Sequence, residues 1–170
     1  MLINYQKTAN TYFNNSKIKS FYYFGNLDIL KNIKVCVVGS RKITPYGELV
    51  VKKFVKELKD KSITTVSGFV EGVDFEVFKQ SLLNHVFTIA VLGYGFNFFN
   101  YDLLKKCLKI DFSKVLFISE FEPNESPKKW TFPKRDETMA TISNLVFVVE
   151  ANEKSGTFYT VKRAFLEDKK

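Results

Sequence analysis

Arg41 is the side chain in this sequence most clearly placed to do chemistry. It ends the turn Gly39-Ser40-Arg41, directly after the apolar run Val35, Cys36, Val37 and Val38, and Lys42 follows it. Thr44 and Pro45 have the residue types of a helix N-cap and a first helical position. A strand that passes through a glycine into a helix N-terminus predicts a pocket rimmed with free backbone N–H groups. Such a pocket suits a phosphate or another anion, and Arg41 adds a planar, forked cation. The other reading of Arg41 is a structural pairing with a carboxylate at the same edge.

The same arrangement, a short apolar run ending in small or polar residues, recurs along the chain. Ser67-Gly68 follows Ile63 to Val66. Gly93-Tyr94-Gly95 follows Phe87 to Leu92. Ser119-Glu120 follows Val115 to Ile118, and Glu150 with Ser155-Gly156-Thr157 follows Leu145 to Val149. Ser155-Gly156-Thr157 opening a helix reads either as an anion-binding start or as an ordinary cap. A separate stretch holds Lys128, Lys129, Trp130, Phe132, Lys134 and Arg135. Cations for phosphates and aromatic faces for bases are what sequence-tolerant binding of single-stranded nucleic acid uses. Trp130 serves there as a stacking platform or as a loop anchor.

Acid–base and metal chemistry find few players. His85 is the only histidine, and no Ser-His-Asp, Cys-His or metal-ligand set is present. Cys36 falls in an apolar strand and Cys107 in a helical stretch, so both read as small buried residues rather than a disulfide. No catalytic residue, metal or cofactor is expected.

The elements that must position these residues alternate. A helix over Pro45 to Lys61 carries Tyr46, Leu49, Val50, Phe54, Val55 and Leu58 at helical spacing, with lysines opposite. Further helices are predicted over 73–84, 101–109, 134–142 and from Thr157 onward. Short, uncharged, Val- and Ile-rich strands alternating with helices predict an α/β fold, a Rossmann-like three-layer α/β/α sandwich. Its mostly parallel sheet has about five to six strands, buried on both faces. Right-handed crossovers then bring all the strand-end turns to one edge, where ligands of such sheets sit. Residues 1–33 read as a lead-in of loop, one short strand and a helical turn, and residues 34–170 as the Rossmann-like domain.

The 170 residues suffice for one domain with a core. The formal net charge of +8 favours polyanionic partners, nucleic acid first, the alternative being a solvated lysine-rich surface. No apolar segment approaches the roughly 18 residues of a membrane span, and the N-terminus does not read as a signal peptide. A cytoplasmic location is the expectation.

Six blocks occur in order: VVGSRKITPYG, TVSGFVEGVD, TIAVLGYG, ISEFEP, FPKRDETMATIS and VVEANEKSGTFYT. Together they resemble the DNA-processing protein A (DprA, also called Smf) family, whose Rossmann-like domain is shared with the LOG nucleotide hydrolases. The resemblance covers about residues 17 to 168. It implies a homodimeric protein that binds single-stranded DNA without cutting it during natural transformation and DNA recombination, and that loads the RecA recombinase. It places the DNA in a basic pocket at the sheet edge that includes Arg41 and either Lys134 or Arg135. The chain departs from the family pattern at Glu71, where an arginine is usual, and at Asp136 and Glu137, where asparagine and arginine are usual. If Glu71 and Glu137 faced the pocket they would repel phosphate. The chain is expected to lack the family's C-terminal winged-helix domain. A nucleotide-sensing or nucleotide-hydrolysing LOG-like domain is the alternative reading, and a partner-binding member without a DNA groove is a third.

Overall fold

The structure is a computed structural model that describes residues 3–13, 17–107, 109–151 and 157–166. Each uncharged run named above is a strand: β3 (Ile33–Gly39), β4 (Ile63–Gly68), β5 (Phe87–Val91), β6 (Val115–Ser119) and β7 (Leu145–Glu150). They lie parallel in the order β6-β5-β4-β3-β7. Two strands precede them, β1 (Gln6–Ala9) and β2 (Ser20–Gly25), and β2 pairs antiparallel with β6. The sheet therefore has seven strands rather than five to six. The lead-in supplies the added pair, because Phe21, 1% exposed, is drawn onto the same core as β6.

The helices are α1 (Pro45–Glu57), α2 (Val73–Leu83), α3 (Tyr101–Lys105), α4 (Thr131–Ile142) and α5 (Thr157–Leu166). β3 shows why both faces must be covered. Val35 and Val37 pack with Val51 and Val55 of α1 and with Val73 and Val77 of α2. Their alternating neighbours Cys36 and Val38 pack with Met139 and Ile142 of α4. A period of two on a strand and helices on either side give the three layers. Phe69, Phe78, Phe99 and Phe117 form a further core, with ring centroids 5.1–5.5 Å apart between touching pairs.

Two expectations about packing are corrected. The buried stripe of α1 is Gly47, Val51 and Val55, continued by Leu58, whereas Tyr46 and Leu49 face solvent. β7 is an edge strand paired only with β3, and Leu145 and Val148 are exposed. No helix among the described residues is long and apolar enough to cross a membrane.

Candidate nucleic-acid interface

The strand order changes direction between β3 and β7. At such a switch point the outgoing connections diverge and leave a crevice at the carboxyl ends of the strands. A cleft of about 400 Å³ lies there. It is lined by Val38 to Lys42 at the end of β3, by Val70, Glu71 and Asp74, by Arg135, Asp136 and Met139 of α4, and by Thr157 and Thr160 of α5.

The turn after β3 is held from two sides. Val73 N–H donates to the carbonyl of Ser40 at 3.0 Å, and Ser40 N–H donates to the carbonyl of Glu150 at 3.1 Å. Gly72 permits the first contact. Its φ is +97°, and a Cβ there would lie 2.3 Å from the Ser40 carbonyl oxygen. The N–H groups expected to rim an anion pocket are largely taken. Lys42 N–H donates to Ser40 Oγ, and Thr44 N–H and Oγ1–H donate to the Glu150 carboxylate at 3.0 and 2.6 Å. Gly47 N–H donates to Thr44 Oγ1. A carboxylate thus already sits on the N-terminus of α1, so the anion-binding capacity of the turn rests on the side chains of Arg41 and Lys42.

Arg41 is exposed, with its guanidinium carbon 4.9 Å from the centroid of Phe132. Neither it nor Lys42 has an ion-pair partner among the described residues. Arg41 and Asp136 also line a second depression of about 470 Å³, whose other walls are Pro127, Lys128, Lys129, Phe132 and Pro133. Cleft and depression are therefore continuous through Arg41. Lys129 is exposed and has no ion-pair partner among the described residues, whereas Lys128 pairs with Glu125 at 2.6 Å. Trp130 is 56% exposed and packs edge-to-face on Phe121, with centroids 5.7 Å apart. Lys134 sits 3.7 Å from Glu120, which also accepts a hydrogen bond from Thr138.

Beneath this rim lies a buried ionic trio. Arg135 is 4% exposed and donates to Asp74 Oδ2 at 3.0 Å, while its Nε lies 2.9 Å from Asp136 Oδ1 without hydrogen-bond alignment. Asp74 Oδ2 also accepts from Gly68 N–H at 3.1 Å. Burial alone would lower the Arg135 guanidinium. The charges of Asp136 and Asp74 more than offset this and hold it above its ordinary value. Burial also raises Asp74, against the pull of Arg135, and pushes the Asp136 carboxyl up to about 6. With two donors, Asp74 has the surroundings of an ionised carboxylate. Asp136 has none and is the member of the trio that takes up a proton.

This placement corrects part of the expected phosphate edge. Arg135 is locked into the trio and is not a surface cation. Ser67, Gly68 and Gly93 are buried. Ser67 Oγ–H donates to the carbonyl of Asp74, a Cβ on Gly68 would lie 1.2 Å from Arg135 Nη1, and Gly93 sits against the ring of Phe132. These residues build the floor and do not line the rim. Glu71 lines the cleft but is engaged by Lys106 at 2.5 Å, and Glu137 is exposed on α4 outside both depressions. Thr157 lies in the cleft wall; Ser155 and Gly156 lie outside the described residues. Asp74 is the contributor that pattern reading passed over. An acidic residue in the first turn of a helix reads as a dipole partner, and nothing local signals its tie to Arg135, 61 residues away.

A sequence profile described as DNA recombination-mediator protein A matches residues 4–170. The chain is 37% identical over 146 residues to the DNA processing protein DprA of Streptococcus pneumoniae, covering 86% of this chain and 51% of that protein. It is 33% identical over 145 residues to its Bacillus subtilis counterpart, covering 82% and 48%. It therefore spans about half the length of these relatives. The crystal structure of the S. pneumoniae protein superposes with a TM-score of 0.85 at 31% identity over 99% of this chain and 62% of that one. A structure of DNA processing protein A from Helicobacter pylori, described for its single-stranded DNA binding mode, gives 0.84 at 24% identity, covering 98% and 79%.

Proposed function

Because the chain belongs to the DNA recombination-mediator protein A family, we propose that it binds single-stranded DNA along the cationic rim of Arg41, Lys42 and Lys129. The observation that carries this reading is the continuity of the switch-point cleft with the Lys128–Phe132 depression through Arg41. A guanidinium over the half-buried ring of Phe132, flanked by Lys42 and Lys129, none of the three cations ion-paired among the described residues, offers a strand phosphate contacts and an aromatic edge at once. Lys128 and Lys134 belong to a second tier, because Glu125 and Glu120 already pair with them.

The role is binding rather than catalysis. Glu120 and Glu150, the carboxylates at the strand ends, are held by Thr138 with Lys134 and by Thr44 respectively, so neither is poised toward a substrate. As a mediator, the protein would present the strand to a RecA-type recombinase, acting as a homodimer.

Fluorescence anisotropy with a labelled single-stranded oligonucleotide tests the central point. Affinity should fall with salt at a log–log slope of about 0.7 per phosphate neutralised. Arg41→Ala with Lys129→Ala should weaken binding at least tenfold, with the slope reduced by about 1.4. An absence of binding at low salt, with an excess of unlabelled mononucleotide making no difference, refutes the reading.

A further inference from the structure

The floor of the cleft holds one buried polar atom without a partner and, beside it in the lining, a carboxylate that is ion-paired but receives no hydrogen bond from the described residues. Thr160 is 0% exposed, and its Oγ1 has no hydrogen-bond partner among the described residues. Asp136 is 8% exposed, lines the same cleft, and accepts no hydrogen bond from any described residue. Its charge is supported by Arg135, whose Nε lies 2.9 Å away without hydrogen-bond alignment, and by Arg41 at the mouth of the cleft. Buried polar atoms are almost always satisfied, and one that is not costs free energy unless a ligand or water completes it. An unpartnered buried hydroxyl and a buried carboxylate with open acceptor capacity, lining one cavity of ligand-sized volume, make a built recognition site.

The chemistry of the missing partner follows from the donors and acceptors present. Asp74 has its donors in Gly68 N–H and Arg135. The ionised Asp136 carboxylate can only accept, and the Thr160 hydroxyl can donate or accept. With Arg41 at the mouth and a carboxylate at the bottom, the cleft is cationic outside and anionic inside. A ligand that matches it carries a phosphate at one end and a hydrogen-bond donor at the other, across a body that sits against Val38, Val70 and Met139. A nucleotide whose base bears an exocyclic amino group has this form. The carboxylate accepts from the amino group, and the threonine hydroxyl answers the adjacent ring nitrogen. Uracil and thymine offer only a ring N–H flanked by two carbonyl oxygens, which a buried carboxylate repels.

We propose that the cleft floor is a base-selecting subsite. In it, Asp136 and Thr160 receive one amino-bearing base of the bound strand, while Arg41 holds its phosphate. This inference rests on the single-stranded DNA reading and adds base selection to it.

The test compares (dC)15 with (dU)15 by anisotropy at pH 8 and fixed low salt, for the wild type, Asp136→Asn and Thr160→Val. These strands carry the same backbone charge and lack the thymine methyl, so their affinity ratio isolates the base edge. The wild type should favour (dC)15 by about tenfold, the effect of one hydrogen bond to a charged group. Asp136→Asn removes a negative charge and should tighten binding of both strands while bringing the ratio to one or below. Thr160→Val should reduce the ratio without that general tightening. A partly unfolded variant would lower both affinities together and leave the ratio intact. Equal binding of the two strands by the wild type overturns the subsite and leaves the DNA reading standing. A tenfold preference that survives both substitutions overturns the assignment to these residues. Binding of neither strand overturns the DNA reading and this inference with it.

Discussion

Replacing Arg135 with methionine separates a structural role from a binding role. Methionine keeps the length and apolar bulk of the side chain and removes its charge. Arg135 is 4% exposed, donates to Asp74 at 3.0 Å and lies 2.9 Å from Asp136, so the variant leaves two carboxylates buried without a counter-charge. Breaking a buried pair in this way costs about 3–5 kcal/mol. The chain has one escape, which is to protonate a carboxyl on folding. From an ordinary value of 3.8, that escape costs about 1.4 kcal/mol per pH unit, or about 6 kcal/mol at pH 8 and about 1.6 kcal/mol at pH 5. The variant's folded-state carboxyl pKa values lie above their unfolded values, so its stability is greatest in acid and is lost as pH rises toward 8. Urea unfolding of Arg135→Met should therefore show a loss of about 3–5 kcal/mol at pH 8 and about half of that at pH 5. Adding Asp74→Asn and Asp136→Asn should recover most of it. If Arg135→Met loses less than about 1 kcal/mol at both pH values while its affinity for single-stranded DNA falls tenfold, Arg135 is a ligand and the buried trio is misread.

Glu150→Ala removes the acceptor of both Thr44 hydrogen bonds. It should cost about 1–2 kcal/mol of stability by thermal unfolding, with Glu150→Gln costing less because an acceptor remains. In the wild type, the Asp136 carboxyl at about 6 exceeds its unfolded value. Its contribution is therefore present in acid and is lost as pH rises through 4 to 6, to a ceiling of about 3 kcal/mol. Asp136→Asn should flatten the urea midpoint over that interval, and an unchanged pH slope would contradict the placement of this carboxyl.

The α/β alternation, the parallel sheet and the gathering of turns at one edge were legible in the residues, because uncharged runs of strand length between helical periodicities leave few other ways to bury them. Arg41 and the Lys128–Trp130 loop were legible too, since exposed cations and an unusual tryptophan stand out from their neighbours. The stripe of α1 was not, because Tyr46, Leu49 and Val51 are all apolar and only the packing partner decides which turns inward. Nor was the role of the lead-in, whose strand β1 has no apolar alternation of its own and is set by pairing with β2.

Arg135 and Glu150 mark the boundary most clearly. Read along the chain, Arg135 is one more cation in a basic loop, and Glu150 is an acid at an anion pocket. The fold brings Asp74 to Arg135 and the start of α1 to Glu150. These contacts turn the first into a buried counter-ion and the second into a helix cap. The sequence by itself determined the alternation of strands and helices from β3 onward and the edge at which their turns gather, because periodicity and turn chemistry act over a few residues. Only the tertiary structure decided which charges remain free to meet that ligand, because neutralisation depends on atoms a few ångströms apart that belong to distant parts of the chain.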